Sequence, residues 1–265
     1  MPETLPSSFR RWEAATFGGP DALKIVEHPL PQPGAGEALL RVLATDATYT
    51  DLMVLGGNYQ GITQLPVVPG YACSARVAAV GAGVDASVLS VGDCVLAMPK
   101  SGCASEFIVL PARLCVRISD AAGAAFVAAR PDAAAALALT GVTAHQMLHR
   151  VAGDARLRAP GAAVLVIAAA GGTGEMVVRL AKLAGVKHIV GTCSRRNLAA
   201  VEALGATPVC YEDADWPAQA RAATPGGAGF CAACRYPTPK PAHRPQPPTA
   251  HPCPYPASIA ATHTP

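Results

Sequence analysis

The sequence predicts an α/β protein with an N-terminal β-barrel domain, a following parallel-sheet domain and a disordered Pro-rich tail. Three observations carry this prediction. From Trp12 to about Ser119, short apolar stretches alternate with Gly, Pro and Asp punctuation. From Asp132 to Tyr211, apolar strands alternate with Ala/Leu-rich helices. The last 35 residues hold ten of the chain's 25 prolines, no acid and almost no aliphatic side chain. The boundaries read from these shifts are 1–130, 131–230 and 231–265.

In the first segment the strands are Ala38–Leu43, Ala75–Val80, Cys94–Ala97 and Glu106–Leu110, set off by turns such as Pro33-Gly34-Ala35-Gly36 and Val91-Gly92-Asp93. Strands this short, at this spacing, suit a small barrel. The next segment opens with a helix over Asp132–Val151, in which Leu137, Thr140, Ala144 and Leu148 share one face. Ala162–Ala170 is a continuous apolar run ending in Gly171-Gly172-Thr173-Gly174, with a helix expected over Glu175–Gly185. A second strand (His188–Thr192), a second helix (Leu198–Leu204, stopped by Gly205) and a third strand (Thr207–Tyr211) complete a βαβαβ pattern. Proline density in the tail favours polyproline II or coil over a packed core.

Composition narrows the function classes. Hydrophobic residues make up 51% of the chain and mean hydropathy is +0.29, so most of it folds. The tail carries Arg235, Lys240 and Arg244, which leaves 18 basic and 18 acidic residues before it. A neutral body offers no basic face, so no nucleic-acid partner is expected. The nine cysteines lack framework spacing and read as reduced thiols. No secretory apolar core follows Met1, and the longest apolar runs reach about half the span of a bilayer. A soluble, cytoplasmic protein without a membrane span is expected.

A glycine turn between a buried strand and a helix presents backbone N–H groups and the positive end of the helix dipole to an anion. Gly171, Gly172 and Gly174 have that context; the alternative is a purely structural turn. The end of the second strand reads Thr192-Cys193-Ser194-Arg195-Arg196, with no carboxylate for a ribose 2′-hydroxyl and two guanidiniums suited to a 2′-phosphate. That favours NADP over NAD, the alternative being a solvated helix start.

With these residues in place, the chain resembles the medium-chain dehydrogenase/reductases, in their zinc-free quinone oxidoreductase-like (zeta-crystallin-like) branch. The resemblance runs from about Phe17 to Phe230. It rests on Thr48-Tyr49-Thr50-Asp51, Gly56-Gly57-Asn58-Tyr59, Leu65-Pro66-Val67-Val68-Pro69-Gly70, Val80-Gly81-Ala82-Gly83-Val84 and Val91-Gly92-Asp93-Cys94-Val95, in that order. Ala104-Ser105-Glu106-Phe107, Thr143-Ala144, the Ala169–Gly174 turn and Leu204-Gly205-Ala206 continue it. The resemblance implies a GroES-like barrel, a Rossmann domain, NADPH as hydride donor and a quinone, enone or enoyl acceptor. It also implies that Gly171, Gly172 and Gly174 hold the pyrophosphate, Ser194 and Arg196 the 2′-phosphate, and that Tyr211 lies near the adenosine. Thr143, Tyr49 and Tyr59 would line the nicotinamide and acceptor side; otherwise the tyrosines pack in the barrel and Thr143 is an ordinary helix residue. The family's homodimer would be doubtful for this chain.

The zinc-dependent relatives ligate metal with a Cys, a Gly-His-Glu element and a further Cys. Here those first positions are Thr48 and Gly70-Tyr71-Ala72, so no metal site is expected. Cys231 and Cys234, followed by His243 and His251, have ligand types but poor spacing. Ala72, Arg76 and Ile167-Ala168 depart from the branch, and at Phe230 its fourth Rossmann strand gives way to Cys231-Ala232-Ala233-Cys234. The Rossmann domain therefore reads as partial, with Ala163–Ala168 left as an unprotected sheet edge. A truncated isoform or an out-of-frame tail would give such a sequence. A second function follows from that reading: a catalytically inactive remnant that binds a protein partner.

Overall fold

The computed structural model describes residues 4–62, 64–224 and 230–233, which form two compact units meeting between Leu139 and Thr140. In the first unit, β1 (Ser8–Ala14) and β2 (Leu23–Pro29) form an antiparallel pair. A five-stranded sheet combines β3 (Glu37–Thr45), β4 (Cys73–Val80), β5 (Cys94–Ala97), β6 (Phe107–Pro111) and β7 (Cys115–Arg117) in the order β6-β3-β4-β5-β7. Irregularities in the β3–β4 register at Leu39/Leu40 and Val42/Ala44 bend the sheet, as bulges do. Alternation then sorts the side chains of β3. Ala38 and Leu40 pack with Val77, Val95 and Leu110, while Leu39 faces Phe9 and Phe107, whose rings meet edge-on at 6.4 Å.

Helix α1 (Tyr49–Leu55) is started by a capping box in which Thr48 and Asp51 satisfy each other's backbone N–H groups. Helices α2 (Ala121–Ala129) and α3 (Pro131–His145) follow, and α3 continues as a π-helical segment over Gln146–Ala152. The boundary between the two compact units falls inside α3. Ala134 packs with Val127 and Cys94 of the first unit, whereas Ala144 and Leu148 join the core of the second. Among the described residues no single helix is long and apolar enough to cross a membrane; α2 and the helix after it pass together by length and composition but are bent by 113°.

After the short α4 (Asp154–Leu157), the second unit contains β8 (Ala163–Ile167), α5 (Gly172–Leu183), β9 (His188–Cys193), α6 (Leu198–Ala203), β10 (Thr207–Cys210), α7 (Trp216–Ala222) and β11 (Phe230–Ala233). The four strands are parallel and ordered β10-β9-β8-β11. Both faces of β8 are covered, Val164 and Val166 by the α5 side and Leu165 by the cluster containing Trp216 and Ala220.

β11 corrects two expectations. The chain does not leave the sheet at Cys231: Phe230–Ala233 pairs in register with Val164–Ile167. β8 is accordingly an interior strand and not an exposed edge. Four residues suffice for this ladder, and the first tail proline, Pro237, comes only after it. The expected disordered tail, apart from these strand residues, lies outside the described residues. Helix α5 also starts earlier than expected, at Gly172, because the glycines form its first turn instead of preceding it.

Candidate functional site

Ala168 leaves β8 in the left-handed region, at φ 61°, and its carbonyl accepts the Gly171 N–H at 3.0 Å. The chain thereby turns straight into α5. A Cβ at Gly174 would stand 2.2 Å from the Ala168 oxygen and 2.9 Å from the Ala169 Cα, so only glycine lets α5 seat against the end of β8. Gly171 and Gly172 have a different part. Both are exposed, and a Cβ at Gly172 would meet only the Thr140 methyl at 3.3 Å. No side chain caps α5, and the N–H groups of Gly172 and Thr173 have no partner among the described residues. Exposed donors at the positive end of a 12-residue helix form a seat for an anion.

The turn is held from β9. Thr192 accepts the Ala169 N–H through its carbonyl at 2.9 Å and the Ala168 N–H through its hydroxyl at 3.2 Å. Gly191 clears the way, since a Cβ there would lie 2.6 Å from the Ala169 Cβ and 2.8 Å from Val201 Cγ1. Sequence reading missed Gly191, Thr192 and Thr140. A glycine inside an apolar strand was the available signal of a close approach.

At the carboxyl end of β9 the two arginines separate. Arg195 binds Asp213 at 2.5 Å and lies 3.9 Å from Glu212, and the Asp213 hydrogen bond raises its pKa further above the ordinary range. Arg196 is exposed and makes no ion pair among the described residues. Ser194 is 8% exposed and its hydroxyl accepts from the Asn197 amide at 3.1 Å. Tyr211 follows β10 directly, tied to Cys193 by its backbone N–H at 3.0 Å, with its ring exposed. Ser194, Arg196 and Tyr211 thus sit at the carboxyl ends of neighbouring strands. Thr143 is half-buried on α3, less than one helical turn beyond Thr140.

In the first unit, Tyr49 opens α1 and is 58% exposed. Tyr59 is half-buried against Val54, Leu55 and Val67, and its hydroxyl donates to that of Tyr71 at 3.4 Å. Tyr59 packs on the barrel side, and Tyr49 stands at the exposed start of α1. Thr48 is committed to the α1 cap. Asp51, 3% exposed, accepts from the Thr48 backbone at 2.8 Å and hydroxyl at 2.9 Å and from the Gly70 N–H at 2.7 Å. Thr48 and Asp51 are thus held to each other, and Asp51 to Gly70, within the unit. Among the described residues no three His, Cys, Asp or Glu side chains are grouped to hold an ion.

Asp46 carries no motif that singles it out. Its Oδ1 is buried without a hydrogen-bond partner among the described residues. Burial, and then the charge of Asp51, push its carboxyl up to about 6, against backbone hydrogen bonds that favour the charged form. The folded chain therefore binds this proton more tightly than the unfolded chain. Its stabilising contribution is complete below about pH 3.8 and is lost as pH rises through about 6. Asp46→Asn is expected to raise stability at pH 7.5 by about 1–2 kcal/mol, after discounting for solvent screening of a half-buried side chain, and to leave it nearly unchanged at pH 4. Urea unfolding of both proteins at the two pH values measures this; an equal difference at both would overturn the assignment.

Known proteins are similar to this chain over much of its length. Residues 34–120 match the alcohol dehydrogenase GroES-like domain family. The human synaptic vesicle membrane protein VAT-1 homolog is 33% identical over 214 residues, covering 80% of this chain and 51% of that protein. The chloroplast envelope quinone oxidoreductase homolog of Arabidopsis thaliana is 35% identical over 199 residues, covering 72% and 57%. A mycobacterial structure solved in complex with NADPH superposes with a TM-score of 0.67 at 32% identity, covering 82% of this chain and 63% of that one. The chain spans about half the length of the curated relatives it matches.

Proposed function

The chain belongs to the medium-chain dehydrogenase/reductase superfamily as a quinone oxidoreductase-like member, and on that footing we propose that it binds NADPH and reduces a quinone or α,β-unsaturated carbonyl or enoyl compound without zinc. One observation carries the reading. The uncapped glycine turn follows β8 where β8 is flanked by β9 on one side and β11 on the other. In chain order this is 3-2-1-4, the arrangement that makes a dinucleotide crevice at the carboxyl ends of its first and fourth strands.

The chain's own residues bind and orient. Gly172 and Thr173 present N–H donors to the pyrophosphate, Gly171 closes the turn on Ala168 without a side chain to obstruct the approach, and Gly174 keeps the helix end close enough. Ser194 and Arg196 take the 2′-phosphate, because Arg195 is already held by Asp213 and Glu212. Tyr211 offers its exposed ring to the adenosine, and Thr143 and Tyr49 serve the nicotinamide and acceptor side. NADPH, when bound, supplies the hydride. Tyr59 acts through its packing and its bond to Tyr71. The alternative of an inactive partner-binding remnant loses its main support, since β11 covers the edge of β8 on which it relied.

The test follows loss of NADPH absorbance with a benzoquinone acceptor. Arg196→Ala is expected to raise the KM for NADPH about 10- to 100-fold, the worth of a charge-assisted hydrogen bond, and to leave that for NADH unchanged. Equal losses for both dinucleotides, or the same selective loss from Arg195→Ala alone, would overturn the 2′-phosphate assignment. No NADPH consumption with any quinone or enone would overturn the activity.

A further inference from the structure

The end of the helical stretch that begins at Pro131 carries a histidine pair that has no part in the site described above. His145 is the last residue of α3, and His149 lies in the π-helical segment that continues it over Gln146–Ala152. Side chains four residues apart on a helix share one face. Here the two rings meet: their centroids are 4.3 Å apart and their planes are tilted by 31°. The backbone beneath them is anchored, because Ala144 and Leu148, which directly precede the two histidines, are fully buried in the core of the second unit. His145 is exposed and His149 half-buried, so the pair is reached from solvent.

Two features suit this pair to a cation. Imidazole takes a metal through one ring nitrogen and keeps the other for a hydrogen bond, so a histidine with a hydrogen-bond partner remains a ligand. Two such rings at a spacing of four residues make a bidentate donor on one helix face. The helical stretch then ends at Gly153, at φ 79°, whose N–H bonds to the Leu148 carbonyl at 3.1 Å. The pair therefore stands near the negative end of the helix dipole, where positive charge is favoured. Nitrogen donors select a first-row transition ion over magnesium or calcium, which prefer oxygen.

We propose that His145 and His149 together bind a divalent first-row transition-metal ion through one nitrogen of each ring, with water in the remaining positions. The proposal goes beyond the dinucleotide reading, does not depend on it and gives the ion no part in hydride transfer. A bound ion clips the end of α3 to the π-helical segment, so occupancy raises the stability of the folded chain. Nickel(II) is the probe, because copper(II) would oxidise the chain's cysteines. Millimolar nickel chloride is expected to raise the melting temperature of the wild-type chain by about 2 °C or more, and magnesium chloride to leave it unchanged. His145→Gln, a change at an exposed position, and His149→Gln should each lose that nickel shift. Each variant is compared with itself without metal, which separates loss of the ion from loss of packing. The other histidines and the cysteines are common to all three proteins, so a shift lost in both variants belongs to the pair. Absence of a nickel shift in the wild-type chain, or an undiminished shift in His145→Gln, would overturn the site. An equal shift with magnesium would overturn the transition-metal assignment.

Discussion

Gly172→Asp is expected to lower NADPH affinity at least about 100-fold while leaving the melting temperature within a degree or so of wild type. The two halves of this expectation have separate causes. A side chain at position 172 meets only the Thr140 methyl, at 3.3 Å, so the fold has room for it. A carboxylate in the first turn of α5 even suits the helix dipole. That same charge would stand where the pyrophosphate is proposed to sit. Repulsion between unit charges about 4 Å apart near a protein surface is on the order of 4 kcal/mol, more than enough for two decades of affinity. Isothermal titration with NADPH, paired with thermal melting, reads both halves. Unchanged affinity in a folded variant would remove the glycine turn from the site.

Gly174→Ala is expected to do the opposite, destabilising the second unit by about 3 kcal/mol or more and lowering its melting temperature by roughly 10 °C or more. Here the added Cβ meets backbone: the Ala168 oxygen at 2.2 Å and the Ala169 Cα at 2.9 Å. No side chain can rotate away, so α5 must shift off the sheet. The shift loosens Val177, Val178 and Ala181, which are fully buried against the β8 core. Such a loss is a large share of a typical domain's 5–15 kcal/mol. Denaturant unfolding followed by Trp216 fluorescence measures it, and a wild-type midpoint would contradict the close seating of α5.

How much of this was legible from residues alone depends on the range of the interaction. Ala162–Ala170 followed by three glycines announced a strand and a tight entry into a helix, because that signal is local. The start of α5 was placed three residues late since glycine's poor helix propensity hid a first turn that seating against Ala168 enforces. Cys231–Ala233 reads as the start of a tail because three residues ahead of a proline-rich stretch carry little pattern of their own. Pairing with Val164–Ile167, more than 60 residues earlier, makes them a strand. The division of labour between Arg195 and Arg196 is likewise non-local, set by Asp213 at a separation of 18 residues. Asp46 had no sequence signature at all. Its exceptional state comes from burial beside Asp51 at the end of β3, a property of the folded barrel.

We infer that the second unit is a dinucleotide fold whose glycine turn seats a pyrophosphate. It is tested most directly by titrating the wild-type chain with NADPH and with NADH by calorimetry. One saturable NADPH site per chain is expected, held at least about tenfold more tightly than NADH. No heat of binding for either dinucleotide at millimolar concentration, from a chain that melts cooperatively, would contradict it.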